Sequence, residues 1–345
     1  MFLNILNQDN FHVAVPELPM GRYAHLILVR ETNSFPLFQT DGELNTAYVR
    51  AGLTHQETKA RIVMFKRKQI TAERLHGREL LRRYEITVAE AKLQKGDGKK
   101  ADTTRPYFCE YNSADFCKVC PDCIYYGYAI GGSGSERAKV LSDSAFSLAP
   151  FDVSHQSMTF NAPYESGTMS RGTVVRSSIG EQDHVLPQTF FPAVITIKDP
   201  TEAEFLYVLN NILQTRRYGA QTTRTGTVEN HLVAAVFSNG EIFSNLKLTQ
   251  RLYDAVGYSD DGEELAQIGQ PLATERVLAA AGEAAAELLR EDGLVYETIA
   301  GSDLRREMRD LTSSEDRLRQ LLAQAADECV AYANSYGVNR GLKGK

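Results

Sequence analysis

The sequence lacks any hydrophobic run long enough to span a bilayer: the most apolar stretches, His25–Val29 and Leu232–Phe237, are far too short. Met1–Gln8 also lacks the basic segment followed by apolar residues that marks a secreted protein. Hydrophobic residues make up 43% of the chain and charged residues 24%, ordinary values for a folded protein, and 345 residues can bury a sizeable core. We therefore expect a soluble, globular, cytoplasmic protein with no membrane partner.

An overall excess of positive charge is absent as well, since the formal net charge is −6. The charge is nevertheless distributed unevenly. Lys59–Lys100 contains 13 basic and 5 acidic residues, whereas Asn239–Val330 contains 9 basic and 19 acidic residues. Each segment alone is compatible with a solvated face, but the contrast favours a protein that binds a polyanion with one surface and faces solvent or a basic partner with another.

Cysteine is scarce, with five residues in the chain. Four of them are clustered between residues 109 and 123 in the pattern C-x7-C-x2-C-x2-C. These four are Cys109, Cys117, Cys120 and Cys123. Disulfides are rare in cytoplasmic proteins, and thiolates at this spacing are suited to converge on one metal ion, so we predict a structural Zn²⁺ site with no open coordination position. An iron–sulfur cluster and four free thiols remain alternatives. Cys329 lies seven residues after Leu322 on an apolar helical stripe, which indicates a core thiol.

Two adjacent segments are predicted to carry basic residues toward a common ligand. If Arg61–Lys68 is extended, Lys66 and Lys68 share one of its faces. Thr71 then caps a helix that runs to about Tyr84. The arginines of this helix follow a spacing of four residues without an acidic partner on the same line, which suits phosphate binding, and they are Arg74, Arg78 and Arg82.

The remaining periodicity predicts alternating strands and helices. Strands are expected at 23–32, 137–148, 191–197 and 231–237, and helices at 200–217, 245–256, 273–290 and 313–333. Asp199 is the predicted N-cap of the first of these helices, with Pro200 at its first position. The segment 151–188 is polar and rich in turn residues, which indicates a protruding hairpin or a long loop.

This order predicts an α+β protein with an RRM-like or ferredoxin-like βαββαβ core. The predicted units are a discontinuous core at 20–95 and 125–240, a zinc-binding lobe at 96–124, a thumb-like insertion at 149–189 and a helical C-terminal extension at 241–345. The aromatic signature with which an RRM sheet stacks on bases is absent, so reading of bases by that sheet is not expected.

Three stretches, in this order, resemble segments of the repeat-associated (RAMP) CRISPR proteins. The basic helix contains Glu73–Arg82, a glycine-rich stretch leads into Ser135–Asp143, and a glycine-containing loop follows at Arg217–Gly226. Together with the cysteine lobe, they are similar to the backbone subunit of the type I-D CRISPR surveillance complex (Cascade), the Cas-seven family. The resemblance covers about residues 22–254.

The resemblance implies a non-catalytic subunit that polymerises head to tail along one CRISPR RNA, contacts other subunits of the complex, and presents the guide for pairing with target DNA. The residues suited to contact RNA are Lys66, Lys68, Arg74, Arg78, Arg137, Lys139, Arg216, Arg217, Gly219 and Arg224. In the thumb-like insertion, three side chains are candidates for a wedge between bases, with local packing as the alternative, and they are Met158, Phe160 and Met169.

Two other functions remain open. Some repeat-associated proteins are RNA endonucleases, and the histidines that lie near an acidic residue in the sequence are candidates for acid–base catalysis: His155 with Asp152, His76 with Glu73, and His231 with Glu229. A zinc-stabilised protein-interaction scaffold explains the acidic C-terminal part but gives the arginine stripe no role.

Overall fold

A computed structural model describes residues 2–40, 42–86, 109–111, 116–130, 134–160, 164–165, 167, 170–171, 174–175, 180–220, 225–257 and 271–336. The strands are β1 (Tyr23–Thr32), β2 (Thr46–Arg50), β3 (Thr58–Met64), β4 (Tyr128–Ile130), β5 (Gly134–Glu136), β6 (Val140–Ser142), β7 (Ala145–Pro150), β8 (His155–Phe160), β9 (Ser170–Arg171), β10 (Val174–Val175), β11 (Gly180–Val185), β12 (Phe190–Lys198), β13 (Arg217–Tyr218), β14 (Gly226–Ser238) and β15 (Tyr296–Ala300). The helices are α1 (Lys66–Arg83), α2 (Pro121–Tyr125), α3 (Phe151–Ser154), α4 (Glu202–Gln214), α5 (Asn245–Val256), α6 (Thr274–Asp292), α7 (Gly301–Thr312) and α8 (Glu315–Ser335). The predicted α+β class is confirmed.

The main sheet has the strand order β13-β14-β1-β12-β6, and β15 pairs with the other end of β14. The central strand β1 is antiparallel to both neighbours: Tyr23 lies opposite Lys198 of β12 and Ser238 of β14. Strand β6 adds the edge beyond β12. The predicted strands at 23–32, 191–197 and 231–237 therefore meet in one sheet, together with the first part of the one predicted at 137–148, and β1 lies at its centre.

One face of this sheet packs on α4, α7 and α8. Because side chains alternate along a strand, Leu26 and Ile195 share this face and join Phe205 of α4 and Leu321 of α8 in the largest apolar cluster. Helix α4 is buried on all sides from Glu202 to Ile212, as expected for a helix that lies between a sheet and further helices.

The opposite face of the sheet is covered as well. Ile27 and Val194 point to this side, where they pack against Leu248 of α5 and Leu288 of α6. The strands β1 and β12 are consequently buried along almost their whole length. The described part of this face stays accessible near the edge strand β6, where Val194 and Thr196 of β12 line a groove.

A second sheet, β2-β3-β7, lies beside the main one. Its centre holds Arg61, which is fully buried and donates from Nη1 to the carbonyl of Ser147 at 2.6 Å and from Nη2 to that of Ala51 at 2.7 Å. The chain then continues through α3 into the antiparallel hairpin β8–β11, in which Val185 pairs with His155. The segment 151–188, predicted as a hairpin or a long loop, thus contains a two-stranded hairpin whose strands span 155–160 and 180–185.

Several predicted boundaries are wrong. Lys66 and Lys68 are not extended, because β3 ends at Met64 and α1 begins at Lys66; Thr71 lies inside this helix and does not cap it. The predicted strand at 137–148 is two strands, β6 and β7, which belong to different sheets.

Asp199 is also not the N-cap of α4. That position is occupied by Thr201, whose hydroxyl accepts from the amide of Glu204 at 3.1 Å. Asp199 instead has a positive φ of 55° and accepts from the amides of Met20 and Arg22, each at 2.9 Å.

The C-terminal part contains more than the predicted helices. Strand β15 adds to the main sheet and α7 follows it directly, although neither was predicted. None of the described helices combines the length and apolar content that a membrane span requires.

Candidate metal site and nucleic-acid interface

The four clustered cysteines converge in the structure. The Sγ atoms of Cys109, Cys117, Cys120 and Cys123 all lie within 4.8 Å of one another. Cys123 Sγ is 3.7 Å from Cys109 Sγ and 3.8 Å from Cys117 Sγ, and ligands of a tetrahedral Zn²⁺ with Zn–S bonds of about 2.3 Å are about 3.8 Å apart. This spacing fits one metal ion.

Backbone geometry holds the thiols in place. Cys120 is the N-cap of α2, and its Sγ accepts from the amide of Cys123 at 3.4 Å, while the amide of Cys120 donates to Cys117 Sγ at 3.3 Å. Hydrogen bonds to the other three thiols and to the Cys117 amide lower the pKa of Cys109, whereas the Cys109 and Cys117 thiols together with burial raise the pKa of Cys123. Four thiolates this close repel one another, so a cation is needed for all of them to ionise.

An acidic residue between the last two cysteines joins this lobe to α1. Asp122 is fully buried and accepts from Nε and Nη2 of Arg74, each at 2.8 Å, and from Nη2 of Arg78. Arg78 also donates to the carbonyl of Cys109 at 2.6 Å. The sequence did not reveal this partner, because Asp122 is about 45 residues away and no helical spacing connects it to the stripe.

The arginine stripe is therefore divided. Arg78 is nearly buried, with 2% of its side chain exposed, and Arg74 retains 13%. Arg82, four residues further on, is exposed. Arg74 and Arg78 serve first as structural links between α1 and the cysteine lobe.

A groove of about 670 Å³ runs along the N-terminal half of α1, between that helix, the edge strand β6 and the start of α5. It combines basic, hydroxyl, amide and apolar side chains, and its wall also includes the acidic residues Asp143 and Glu241. The residues that α1 contributes are Lys66, Arg67, Ile70, Thr71 and Arg74. Basic groups at the rim and apolar groups inside suit a ligand with a phosphate and a planar ring.

Positive charges are crowded at the entrance of this groove. Lys66 and Arg67 are exposed, and within the described residues no carboxylate lies at ion-pair distance from either. Burial and the nearby charge of Arg67 lower the pKa of Lys68. Repulsion between like charges is relieved when an anion binds, so this corner of the protein favours one. Arg67 was not among the residues singled out in the sequence.

The next two candidates differ in their surroundings. Arg137 is exposed. Lys139 is largely covered: its Nζ donates to Glu136 at 3.0 Å and to the carbonyl of Ile124 at 3.2 Å, and it lies 4.6 Å from the ring centre of Tyr332. Its charge is thus largely compensated inside the protein.

The glycine-containing loop lies beside β14. Arg217 is exposed, and Arg216 is 48% exposed with Glu229 at 3.8 Å. Gly219 has a φ of 149°, which favours glycine. Arg224 lies outside the described residues.

The hairpin β8–β11 contains two of the three candidate wedge residues. Met158 is half-buried and pairs with Gln182 across the hairpin. Phe160 ends β8, opposite Gly180. Met169 lies outside the described residues.

The candidate catalytic histidines have other partners than those predicted. His155 Nδ1 lies 2.6 Å from the carbonyl of Phe151, and the two rings stack 3.8 Å apart. His231 Nε2 lies 2.9 Å from Glu31 Oε2, not beside Glu229. Glu73 pairs with Arg30 instead of His76.

The sequence of residues 10–322 matches the family model described as "Csc2 Crispr". The chain belongs to this CRISPR family. No curated protein matches it in sequence. The family match extends beyond the 22–254 stretch of the resemblance and includes α5, α6, α7 and the first turns of α8.

Solved structures resemble the fold of this family member. The crystal structure of Thermofilum pendens Csc2 is 15% identical, covers 95% of this chain and 94% of its own, and has a TM-score of 0.59. Chains of two further solved structures also match. One, described as "CRISPR RNA-guided surveillance complex", is 12% identical, covers 90% of this chain and 99% of its own, and has a TM-score of 0.41. The other, described as "CRISPR RNA-guided surveillance complex, pre-nicking", is 14% identical, covers 80% of this chain and 90% of its own, and has a TM-score of 0.45.

Proposed function

We propose that this protein is an RNA-binding backbone subunit of a CRISPR surveillance complex of type I-D, without catalytic activity of its own. Copies follow one another head to tail along the CRISPR RNA in the cytoplasm, next to other subunits, and the guide pairs with target DNA. The observation that carries this proposal is the basic entrance of the groove along α1, formed by Lys66 and Arg67 in a member of the CRISPR family.

The core of the subunit is proposed to be RRM-like. Supporting this, the sheet order β14-β1-β12-β6 places the fourth core strand of the chain beside the first, and the third between the first and the second. Helix α1 follows the first of these strands in the chain and α4 follows the third, which is the βαββαβ succession.

The cysteine lobe is proposed to hold one structural Zn²⁺. Four sulfurs within 4.8 Å enclose a space for one ion, which disfavours a cluster of several irons. With four protein ligands the ion has no free position for a substrate, so its role is to fix the lobe against α1 through Asp122.

RNA is proposed to contact two regions of this surface. The first is the α1 groove, with Lys66 and the exposed edge of Arg74, together with Lys68 beside it. The second is the loop with Arg216, Arg217, Gly219 and Arg224, and Arg137 adds charge. Arg78 and Lys139 support these regions from inside. The hairpin, with Met158, Phe160 and Met169, is proposed to separate bases between neighbouring copies.

Binding of a fluorescently labelled, unstructured RNA across a salt series tests the proposal. For a single strand, the logarithm of the binding constant falls with the logarithm of the salt concentration by about 0.7 for each phosphate contacted. We expect a steep dependence, little preference for base sequence and intact RNA after incubation. Cleavage of the RNA would instead support an RNA endonuclease. No binding at low salt would support the zinc-stabilised protein-interaction scaffold.

Variants localise the contact. Lys66→Ala/Arg67→Ala is expected to weaken binding by about tenfold or more and to make the salt dependence shallower by about 1.4, the loss of two contacts. Arg306→Ala on α7 is the matched control, since Arg306 is 66% exposed and lies on a different helix. Equal effects of both changes would contradict a contact localised at the groove.

A further inference from the structure

A buried ion pair lies behind the two regions proposed to contact RNA. Arg30 of β1 and Glu73 of α1 are both fully buried, and Nη2 of Arg30 is 2.9 Å from Oε1 of Glu73. Removing two charges from water is costly, and well-packed apolar residues are often at least as stabilising. The pair therefore calls for an explanation beyond stability.

Two further side chains close the network. Tyr218 donates from its hydroxyl to Glu73 at 3.1 Å, and this hydroxyl accepts from Asn230 Nδ2 at 2.9 Å and from Arg30 Nη1 at 3.3 Å. Arg30 Nη1 also donates to Asn230 Oδ1 at 2.5 Å. Burial raises the pKa of Tyr218 well above its ordinary value, so the hydroxyl remains protonated and able to donate.

The network fixes the chain before the exposed arginines, and a close contact at Gly226 fixes the strand that pairs with Tyr218. Asn230 donates to the carbonyl of Ile212 at 2.7 Å and to that of Thr215, the residue before Arg216, at 3.2 Å. On the other side, a Cβ on Gly226 would lie 2.4 Å from Pro36, so only glycine fits this contact with the neighbouring loop.

Tyr218 itself determines where Arg217 points. In the two-residue strand β13 successive side chains face opposite sides, and Tyr218 is fully buried while Arg217 is exposed. The hydrogen bond from the Tyr218 hydroxyl to Glu73 also connects this loop to α1. Because Glu73 directly precedes Arg74, which lines the groove, this bond sets the distance between the loop and the groove.

We propose that Tyr218 is a positioning residue for RNA binding: its hydroxyl, held by Glu73, Arg30 and Asn230, orients Arg216 and Arg217 so that their phosphate contacts keep a fixed register with those of the α1 groove. This inference rests on the proposed function, since it requires that the protein bind RNA.

Tyr218→Phe removes the hydroxyl and retains the ring. We expect RNA affinity to fall by about three- to tenfold and the salt dependence to become shallower by about 0.7, as in Arg217→Ala. The double variant Tyr218→Phe/Arg217→Ala should lose little more than either single one, because both changes remove the same contacts. Glu73→Gln, which keeps the shape of the side chain but not its charge, is a second variant with the same expected result.

Tyr125→Phe is the matched control. Tyr125 is also fully buried, but its hydroxyl donates to Glu328 and to the carbonyl of Ala325 in α8. Both tyrosine variants should lower the melting temperature, and only Tyr218→Phe should change the salt dependence. If the wild-type protein binds RNA and the Tyr218→Phe variant binds it with the same affinity and salt dependence, the positioning role is refuted and the proposed function stands. If the wild-type protein binds no RNA, the positioning role and the proposed function are both refuted.

Discussion

Both carboxylate oxygens of Asp122 accept hydrogen bonds from the guanidinium group of Arg74, each at 2.8 Å. This bidentate pair connects the segment between two metal-ligand candidates to the helix that lines the groove. It has the geometry of the stronger charge-assisted hydrogen bonds, and Asp122 is fully buried.

Replacing Asp122 by asparagine should destabilise the protein. Arg74 and the nearly buried Arg78 would lose their common carboxylate, and breaking a buried pair on one side costs about 3–5 kcal/mol of unfolding free energy. Urea unfolding followed by circular dichroism measures this loss. Asp303→Asn is the control, because Asp303 makes an exposed pair with Arg306, and its effect should stay within about 0.5 kcal/mol. A cost below about 1 kcal/mol for Asp122→Asn would argue against the role of this link.

Metal analysis should find one zinc ion per chain. Cys120→Ser removes one of four ligands and is expected to lose the zinc together with the stability that it supplies to the lobe. Mass spectrometry of the purified proteins gives the stoichiometry. Cys329→Ala is the matched variant, since Cys329 is a fully buried cysteine of the apolar core, and it should retain one zinc ion. Iron in the wild-type protein, or no metal at all, would contradict the prediction.

Glu328 should make stability depend on pH. Burial raises its pKa from 4.5 to about 6, although the hydroxyls of Thr201 and Tyr125 donate to it. Between these pH values the folded protein holds a proton that the unfolded chain has lost, so the unfolding free energy falls as pH rises. The loss is about 2 kcal/mol and is complete above pH 6.

Glu328→Gln removes this dependence while its amide oxygen can still accept both hydroxyls. The variant should gain stability relative to wild type from about pH 4.5 to about pH 6 and keep the gain above that, as measured by urea unfolding at a series of pH values. Glu283→Gln on the exposed side of α6 is the control and should reproduce the wild-type profile. Parallel profiles for wild type and Glu328→Gln would show that this carboxyl does not titrate with folding.

Two glycines in helices should respond in opposite directions to alanine. A Cβ on Gly77 of α1 would lie 2.4 Å from both Asn211 Nδ2 and Tyr207 Oη of α4, so Gly77→Ala should cost about 1–3 kcal/mol. Gly282 of α6 has Val233 Cγ1 at 4.0 Å as its nearest neighbour, and Gly282→Ala should stabilise by up to about 1 kcal/mol through helix propensity. Thermal unfolding of both variants measures the difference, and stabilisation by Gly77→Ala would show that α1 does not pack this closely on α4.

Local signals in the sequence were sufficient for several elements. Helix α5 begins and ends at the predicted residues, Asn245 and Val256, because Ser244 is a capping residue and the apolar positions repeat regularly. The four cysteines converge as their spacing indicated. In such cases the deciding interactions lie within about ten residues of one another.

Long-range interactions explain what the sequence could not reveal. The start of α1 carries no capping side chain, since the N-cap Phe65 has none that can accept a hydrogen bond, and the helix was therefore placed too late. Strand β15 has four exposed residues out of five and is recognisable only by its pairing with β14. Asp122 and Glu73 pair with arginines that are 43 or more residues away in the sequence, so no helical or strand periodicity identifies these pairs.

The helical layers on both faces of the main sheet restrict where a long polymer can lie. Strands β1 and β12 are buried almost throughout, so the border of the sheet is more accessible to such a polymer than its middle. The border next to the groove is formed by α1, whose 18 residues extend about 27 Å. A polymer that follows this border therefore runs beside one copy of α1 for about 27 Å, a distance set by the length of the helix and not by the number of strands.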